Sequence, residues 1–217
     1  MSRAILIIGE SGAGKTTSLR NLDPATTYYF DADRKGGLNW KGAKKQYVAG
    51  KNYMNTSDAK TIYQTICLLN DNPNIKTVII DTLNGIMIDD EMRRSKEKGY
   101  DKWVDLAASV YALVSNGGSF RDDMTIVFIG HTQTERDETG YTFTRLKTNG
   151  QKLNKICLES KFNTVLLCRQ VDDKYIFETN AHNTTSKSPQ GALPAVMPND
   201  LAEVIRLLDA YEYGEEN

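Results

Sequence analysis

Five short apolar runs punctuate the chain: Ala4 to Ile8, Thr27 to Phe30, Thr77 to Ile80, Thr125 to Ile129 and Thr164 to Cys168. They are rich in β-branched residues and lack polar alternation, which predicts strands of a parallel sheet covered on both faces. Between the runs, apolar residues recur at helical spacing. Asp58 is placed to cap a helix presenting Ile62, Ile66 and Leu69. Asp101 is placed to cap another, with Trp103, Leu106, Val110 and Leu113 on one face and Gly117-Gly118 as its stop. Alternating strands and helices predict an open α/β sheet. The pattern then changes. Val165 to Arg169 and Lys174 to Glu178 flank Val171-Asp172-Asp173 and read as a hairpin. A polar loop over 180–199 holds three of the five prolines. A final helix over 200–213 starts at Asp200, with Glu203 as a capping-box partner and Leu201, Val204, Ile205 and Leu208 buried.

These elements predict a single domain over 1–217, with its core at about 4–179. A chain of 217 residues suffices for one well-filled α/β core. The formal net charge of −1 excludes a general polycation, so nucleic acid would have to meet a local patch or a repeated one in an oligomer. The cysteines (Cys67, Cys157, Cys168) form no C-x-x-C pair and read as reduced thiols of a cytoplasmic protein. The apolar runs fall short of the roughly 18 residues that span a membrane, so no membrane association is expected.

Directly behind the first run lies Gly9-Glu10-Ser11-Gly12-Ala13-Gly14-Lys15-Thr16-Thr17. It fits G-x-x-x-x-G-K-[ST]. The glycines let the backbone curl so that successive N–H groups face a phosphate, and a helix beginning near Lys15 adds its positive end. Lys15, expected to be exposed, would reach the β- and γ-phosphates, and the Thr16 hydroxyl would take a Mg²⁺ position. The third run ends at Asp81, at the carboxyl end of a buried strand, and supplies the acid on the Mg²⁺ side. The second ends in Asp31 and Asp33, two residues apart and so expected on one face; either could orient the water that hydrolysis needs. The fourth ends in His131, Thr132 and Gln133, where a polar residue can report loss of the γ-phosphate.

This layout of GESGAGKTT, FDAD, TVIIDT and VFIGHTQ resembles the small phage-encoded ATPases built on a minimal RecA-type core, a group implicated in single-strand annealing and recombination. The segments GYDKWVDLAASVYAL and GALP are also similar to that group. The resemblance implies ATP and Mg²⁺ as cofactors, hydrolysis stimulated by DNA or assembly, and host cytoplasm as the setting; the short Asp33 side chain points to slow turnover. It implies a homo-oligomer with ATP at subunit interfaces, and single-stranded DNA along loops after the third and fourth strands. A single-strand-binding or replication protein is a further implied partner. RecA-like proteins usually carry a catalytic glutamate where Asp33 stands here. Their sensor is often glutamine, leaving His131 or Gln133 for that place. Lysines in their late segment reach a neighbour's γ-phosphate, which points to Lys187.

Two segments are DNA candidates. One is Glu91 to Lys102, with Arg93, Arg94, Lys96, Lys98 and Lys102, read as a surface helix. The other is a hairpin arm on which Tyr141, Phe143, Arg145 and Lys147 alternate, so that aromatics and cations share a face suited to bases and phosphates. A nucleotide-dependent interaction switch or loader is the alternative function. A small-molecule kinase fits less well, because the 180–199 loop lacks the arginines of a phosphate-clamping lid.

Overall fold

The computed structural model describes residues 1–36, 38–99, 101–149, 151–180 and 182–214. The five predicted runs become β1 (Arg3–Gly9), β2 (Thr27–Asp31), β4 (Thr77–Asp81), β5 (Thr125–Arg136) and β7 (Thr164–Val171). Among the described residues they are joined by β3 (Tyr53–Asn55), β6 (Thr142–Leu146), β8 (Lys174–Glu178) and β9 (Val196–Pro198). The sheet order is β3-β2-β4-β5-β1-β7-β8-β9, with β6 paired to β5. From β3 to β7 neighbouring strands run parallel. The β7–β8 and β8–β9 pairs are antiparallel, as is β5–β6.

Strand alternation divides the core in two. Leu6 and Ile8 of β1 face α2 (Ala59–Asn70), α3 (Leu83–Arg93), α4 (Asp101–Ser115) and α5 (Gln151–Ile156), through Ile62, Ile66, Ile86, Leu106, Val110 and Leu153. Ile5 and Ile7 face the opposite layer, made by α1 (Ala43–Gln46), the turn at Thr16–Leu19 and α6 (Leu201–Tyr213). The side chains of Ile5, Leu6, Ile7 and Ile8 are fully buried. At about 1.5–3 kcal/mol for each fully buried Leu or Ile, these four contribute on the order of 10 kcal/mol before the entropy of ordering is counted. The result is the expected α/β P-loop NTPase fold: a mostly parallel mixed sheet flanked by helices.

Local signals hold at several places. Asp58 accepts from the Thr61 N–H at 2.7 Å and starts α2. The β7–β8 hairpin turns on Asp172 and Asp173, both at positive φ (46° and 61°), in the primed-turn region that suits tight hairpins.

Other expectations are corrected. The helix after the P-loop is a 3₁₀ turn, Thr16–Leu19, cut short by the loop around Asp23-Pro24. The 180–199 loop contains β9, because Met197 packs into the core and its backbone pairs with Phe177. Asp200 caps α6 through the Ala202 N–H at 3.1 Å, but Glu203 turns to Arg206 at 2.8 Å instead of closing a capping box. Glu91 to Lys102 is not one helix: α3 ends at Arg93 and α4 begins at Asp101. Its two arginines are engaged as well, Arg93 with Asp90 and Asp58, Arg94 with Glu97 and Asp105.

Candidate nucleotide site

The carboxyl ends of β1, β2, β4 and β5 meet in a cleft of about 400 Å³, lined by the P-loop from Ser11 to Thr17, by Asp33, Lys35, Asn39, Asp81 and Thr82, and by His131 and Tyr175. Gly12 (φ 81°) and Gly14 (φ 94°) hold backbone conformations that side chains rarely adopt. At Gly14 a Cβ would also lie 2.9 Å from the Tyr175 ring. Gly9 pairs with His131 on one side and Cys168 on the other, so β1 delivers the P-loop into the middle of the sheet end.

The Thr16 hydroxyl donates to Asp81 Oδ2 at 2.7 Å, and the Tyr29 hydroxyl donates to the same oxygen at 2.9 Å. Burial pushes the Asp81 carboxyl up to about 6, against the pull of these two hydrogen bonds. A hydroxyl and a carboxylate in contact at the foot of a phosphate cradle are hard oxygen donors of the kind Mg²⁺ takes. The residues therefore fit the group that the motif implies.

Lys15 is not exposed as expected. Its ammonium turns onto the Gly9 and Glu10 carbonyls at 2.9 and 2.8 Å and lies 3.4 Å from His131 Nδ1. Burial lowers its pKa, with Cys168 and Asp81 acting the other way. The His131 pKa is lowered by burial and by Lys15, so its ring is neutral near pH 7. The His131 backbone N–H donates to Asn84 Oδ1 at 2.7 Å.

Asp31 and Asp33 do not share a face. β2 ends at Asp31, and both Ala32 and Asp33 fold their N–H groups onto the Asp81 carbonyl. Asp31 is fully buried and accepts from the Tyr53 hydroxyl at 2.7 Å and from the Lys35 and Gly36 N–H groups at 3.3 and 2.7 Å. It holds a loop in place. Asp33 faces the cleft, where Oδ1 accepts from the Thr82 hydroxyl at 2.6 Å and Oδ2 meets the Lys35 ammonium at 2.5 Å. Burial would raise the Asp33 pKa, but Lys35 and Thr82 outweigh it and hold the carboxyl low. Gly85 permits this approach: a Cβ there would lie 2.4 Å from the Ala32 carbonyl oxygen and 2.6 Å from Asp33 Oδ1.

The remaining candidates lie elsewhere. Gln133 is two residues along β5 from His131 and donates to Glu135 at 2.5 Å, on the arm and not in the cleft. Lys187 bridges Val165 through both backbone groups, three residues before the Cys168 that pairs with Gly9. It does not line the cleft of its own chain. The arm is real: β5 and β6 pair from Thr132–Leu146 to Arg136–Thr142. Tyr141 is exposed near its tip, Phe143 is half-buried, and Lys147 is exposed at its base. Arg145 is not available to DNA. It is 8% exposed and lies 3.5 Å from Glu135 and 3.7 Å from the buried Glu159.

Sequence reasoning missed Tyr29, Lys35, Thr82 and Asn84. Tyr29 was hidden as one more apolar strand residue. Thr82 follows Asp81 directly and also caps α3 through the Gly85 N–H at 3.1 Å, a signal the TVIIDT motif already carried. Lys35 stands two residues after Asp33 beside glycines, which reads as an ordinary turn.

A glycine-rich phosphate cradle at the end of a parallel sheet, with a strand-end aspartate bonded to its threonine, defines a P-loop nucleotide-binding protein. The chain belongs to the AAA domain family, whose model matches residues 1–190. No curated protein matches the chain. Membership supports nucleotide binding and ATPase activity. Among the described residues no helix is long and apolar enough to cross a membrane.

Proposed function

We propose that the protein binds Mg-ATP in this cleft, hydrolyses it slowly, and couples the cycle to single-stranded DNA in recombination, annealing or replication. The observation that carries the reading is the meeting of Lys15, Thr16, Asp81, Asp33 and His131 in one cleft from four separate strands. In it the P-loop N–H groups and Lys15 bind phosphate. Thr16 and Asp81 would hold Mg²⁺, which would supply positive charge against the phosphates. Asp33 orients water, acting mainly in the transition state. His131, neutral and beside Lys15, responds to the terminal phosphate. β5 continues unbroken from His131 into the arm, so a shift at the phosphate has a rigid path to Tyr141 and Phe143. With Arg145 buried, the DNA contact rests on these aromatics and Lys147. Assembly with nucleotide at subunit interfaces, and Lys187 reaching a neighbour's phosphate, belong to the same proposal.

A nucleotide-timed interaction switch is the second reading. It is favoured by the short Asp33 side chain, which is held by both Lys35 and Thr82. The test is phosphate release with and without a single-stranded oligonucleotide. Stimulation by the oligonucleotide supports the DNA reading. Release indifferent to DNA contradicts it and leaves the switch.

A further inference from the structure

Lys35 is a cation that the nucleotide reading leaves without a task. Its backbone is anchored: Asp31 takes the N–H groups of Lys35 and Gly36, and Tyr53 and Asn55 fix Asp31 from β3 at 2.7 and 3.4 Å. Its side chain lies at the surface, 64% exposed against 12% for Asp33, which its ammonium meets. The two carboxylate oxygens of Asp33 differ. Thr82, itself the cap of α3, holds Oδ1, while Lys35 holds Oδ2. Lys35 and Asp33 line the same cleft as Lys15, Thr16 and His131. Lys15 is directed to P-loop carbonyls and His131 Nδ1, so Lys35 is the ammonium that meets Asp33 there.

We infer that Lys35 is a positioning residue, a phosphate-responsive latch on Asp33. In the arrangement seen here its ammonium covers Asp33 Oδ2. When a nucleoside triphosphate occupies the P-loop, the ammonium transfers to the terminal phosphate. That group carries more negative charge than a carboxylate and offers more acceptor oxygens. Asp33 keeps its Thr82 hydrogen bond and presents Oδ2 to water. A diphosphate lacks the terminal group, so with it Lys35 stays on Asp33. The latch thus couples competence for hydrolysis to the triphosphate state. This inference rests on the proposed nucleotide site and adds to it a residue that separates triphosphate from diphosphate.

The test is equilibrium binding of Mg-ADP and of a non-hydrolysable Mg-ATP analogue, by calorimetry, to the full chain and to Lys35→Ala and Lys35→Arg. Lys35→Ala should weaken the analogue about tenfold while leaving ADP nearly unchanged, as expected for loss of one charged hydrogen bond to the terminal phosphate. Lys35→Arg should restore most of the preference. In the protein without nucleotide, the Asp33 carboxyl pKa followed by NMR should rise in Lys35→Ala. Equal weakening of ADP and analogue, or no weakening of either, overturns the latch while the nucleotide site stands. Failure of the parent protein to bind either nucleotide overturns both.

Discussion

The nucleotide cleft and the β5–β6 arm stand at the same end of the sheet, and both looked from the sequence like surfaces of charge waiting for a ligand. The structure separates them. In the cleft, Lys15, Lys35, Asp33 and His131 turn toward a common space. In the arm, Arg145 turns inward toward Glu159, which also accepts the Leu146 N–H at 2.8 Å, so one of the two cations of the predicted DNA face is buried. Alternation identifies which residues share a face. It does not say which face a distant carboxylate will bury.

The largest expected effect lies in the cleft. Asp33→Asn should slow hydrolysis roughly 100-fold, the lower range for a lost general base, while analogue affinity changes little. Single-turnover kinetics beside binding isotherms check this. Unchanged turnover would show that Asp33 does not orient the water.

The arm answers in stability. Glu159→Ala removes the buried partner of Arg145, leaving it only the more exposed Glu135, and strips the Leu146 N–H of its acceptor; it should cost about 3 kcal/mol in urea unfolding. Arg145→Met combined with Glu159→Leu should recover much of that loss, since an apolar pair can replace a buried ion pair. A neutral Glu159→Ala would mean that Arg145 finds water and is free for DNA after all.

A comparable effect separates two carboxylates of the cleft by pH. Asp81 has its carboxyl raised to about 6, above the usual carboxylate value of about 4. A raised acid favours the fold while protonated. Its contribution is therefore intact below about pH 4 and is lost as pH rises through about 6, amounting to about 3 kcal/mol without nucleotide or Mg²⁺. Asp33, held low, has the opposite sign: its contribution is present above the usual carboxylate value and is lost as pH falls through its lowered one. Unfolding at stepped pH should show a flatter profile for Asp81→Asn across the upper window. A profile parallel to the parent's would contradict a buried, raised Asp81.

The smallest effect is at the arm's tip. Tyr141→Ala with Phe143→Ala should weaken oligonucleotide binding by about 1 kcal/mol or more per lost stack, read by fluorescence anisotropy. Equal affinity would move the DNA contact off the arm.

Much of this fold was legible because its information is local. Apolar β-branched runs marked the central strands, Asp58 marked α2, and the P-loop glycines marked the phosphate cradle. Thr16 and Asp81 were legible as a pair because the chemistry of Mg²⁺ demands both. What escaped depends on partners far along the chain. Asp31 and Asp33 parted because β2 ends between them and Gly85 of α3 admits only the second to the cleft wall. Lys35 gains meaning only beside Asp33, and Arg145 only beside Glu159. β9 escaped because three residues paired to β8 leave no periodic trace in a proline-bearing loop.

In the proposed function, Lys15 and its cleft bind the phosphates of ATP. Calorimetric titration of Mg²⁺ with a non-hydrolysable ATP analogue into the parent protein and Lys15→Ala tests it most directly, with circular dichroism to confirm that both are folded. The expected result is binding by the parent and a loss of about 100-fold or more in Lys15→Ala, the worth of a strong charged contact of about 3 kcal/mol. Equal affinity in two folded proteins would contradict it.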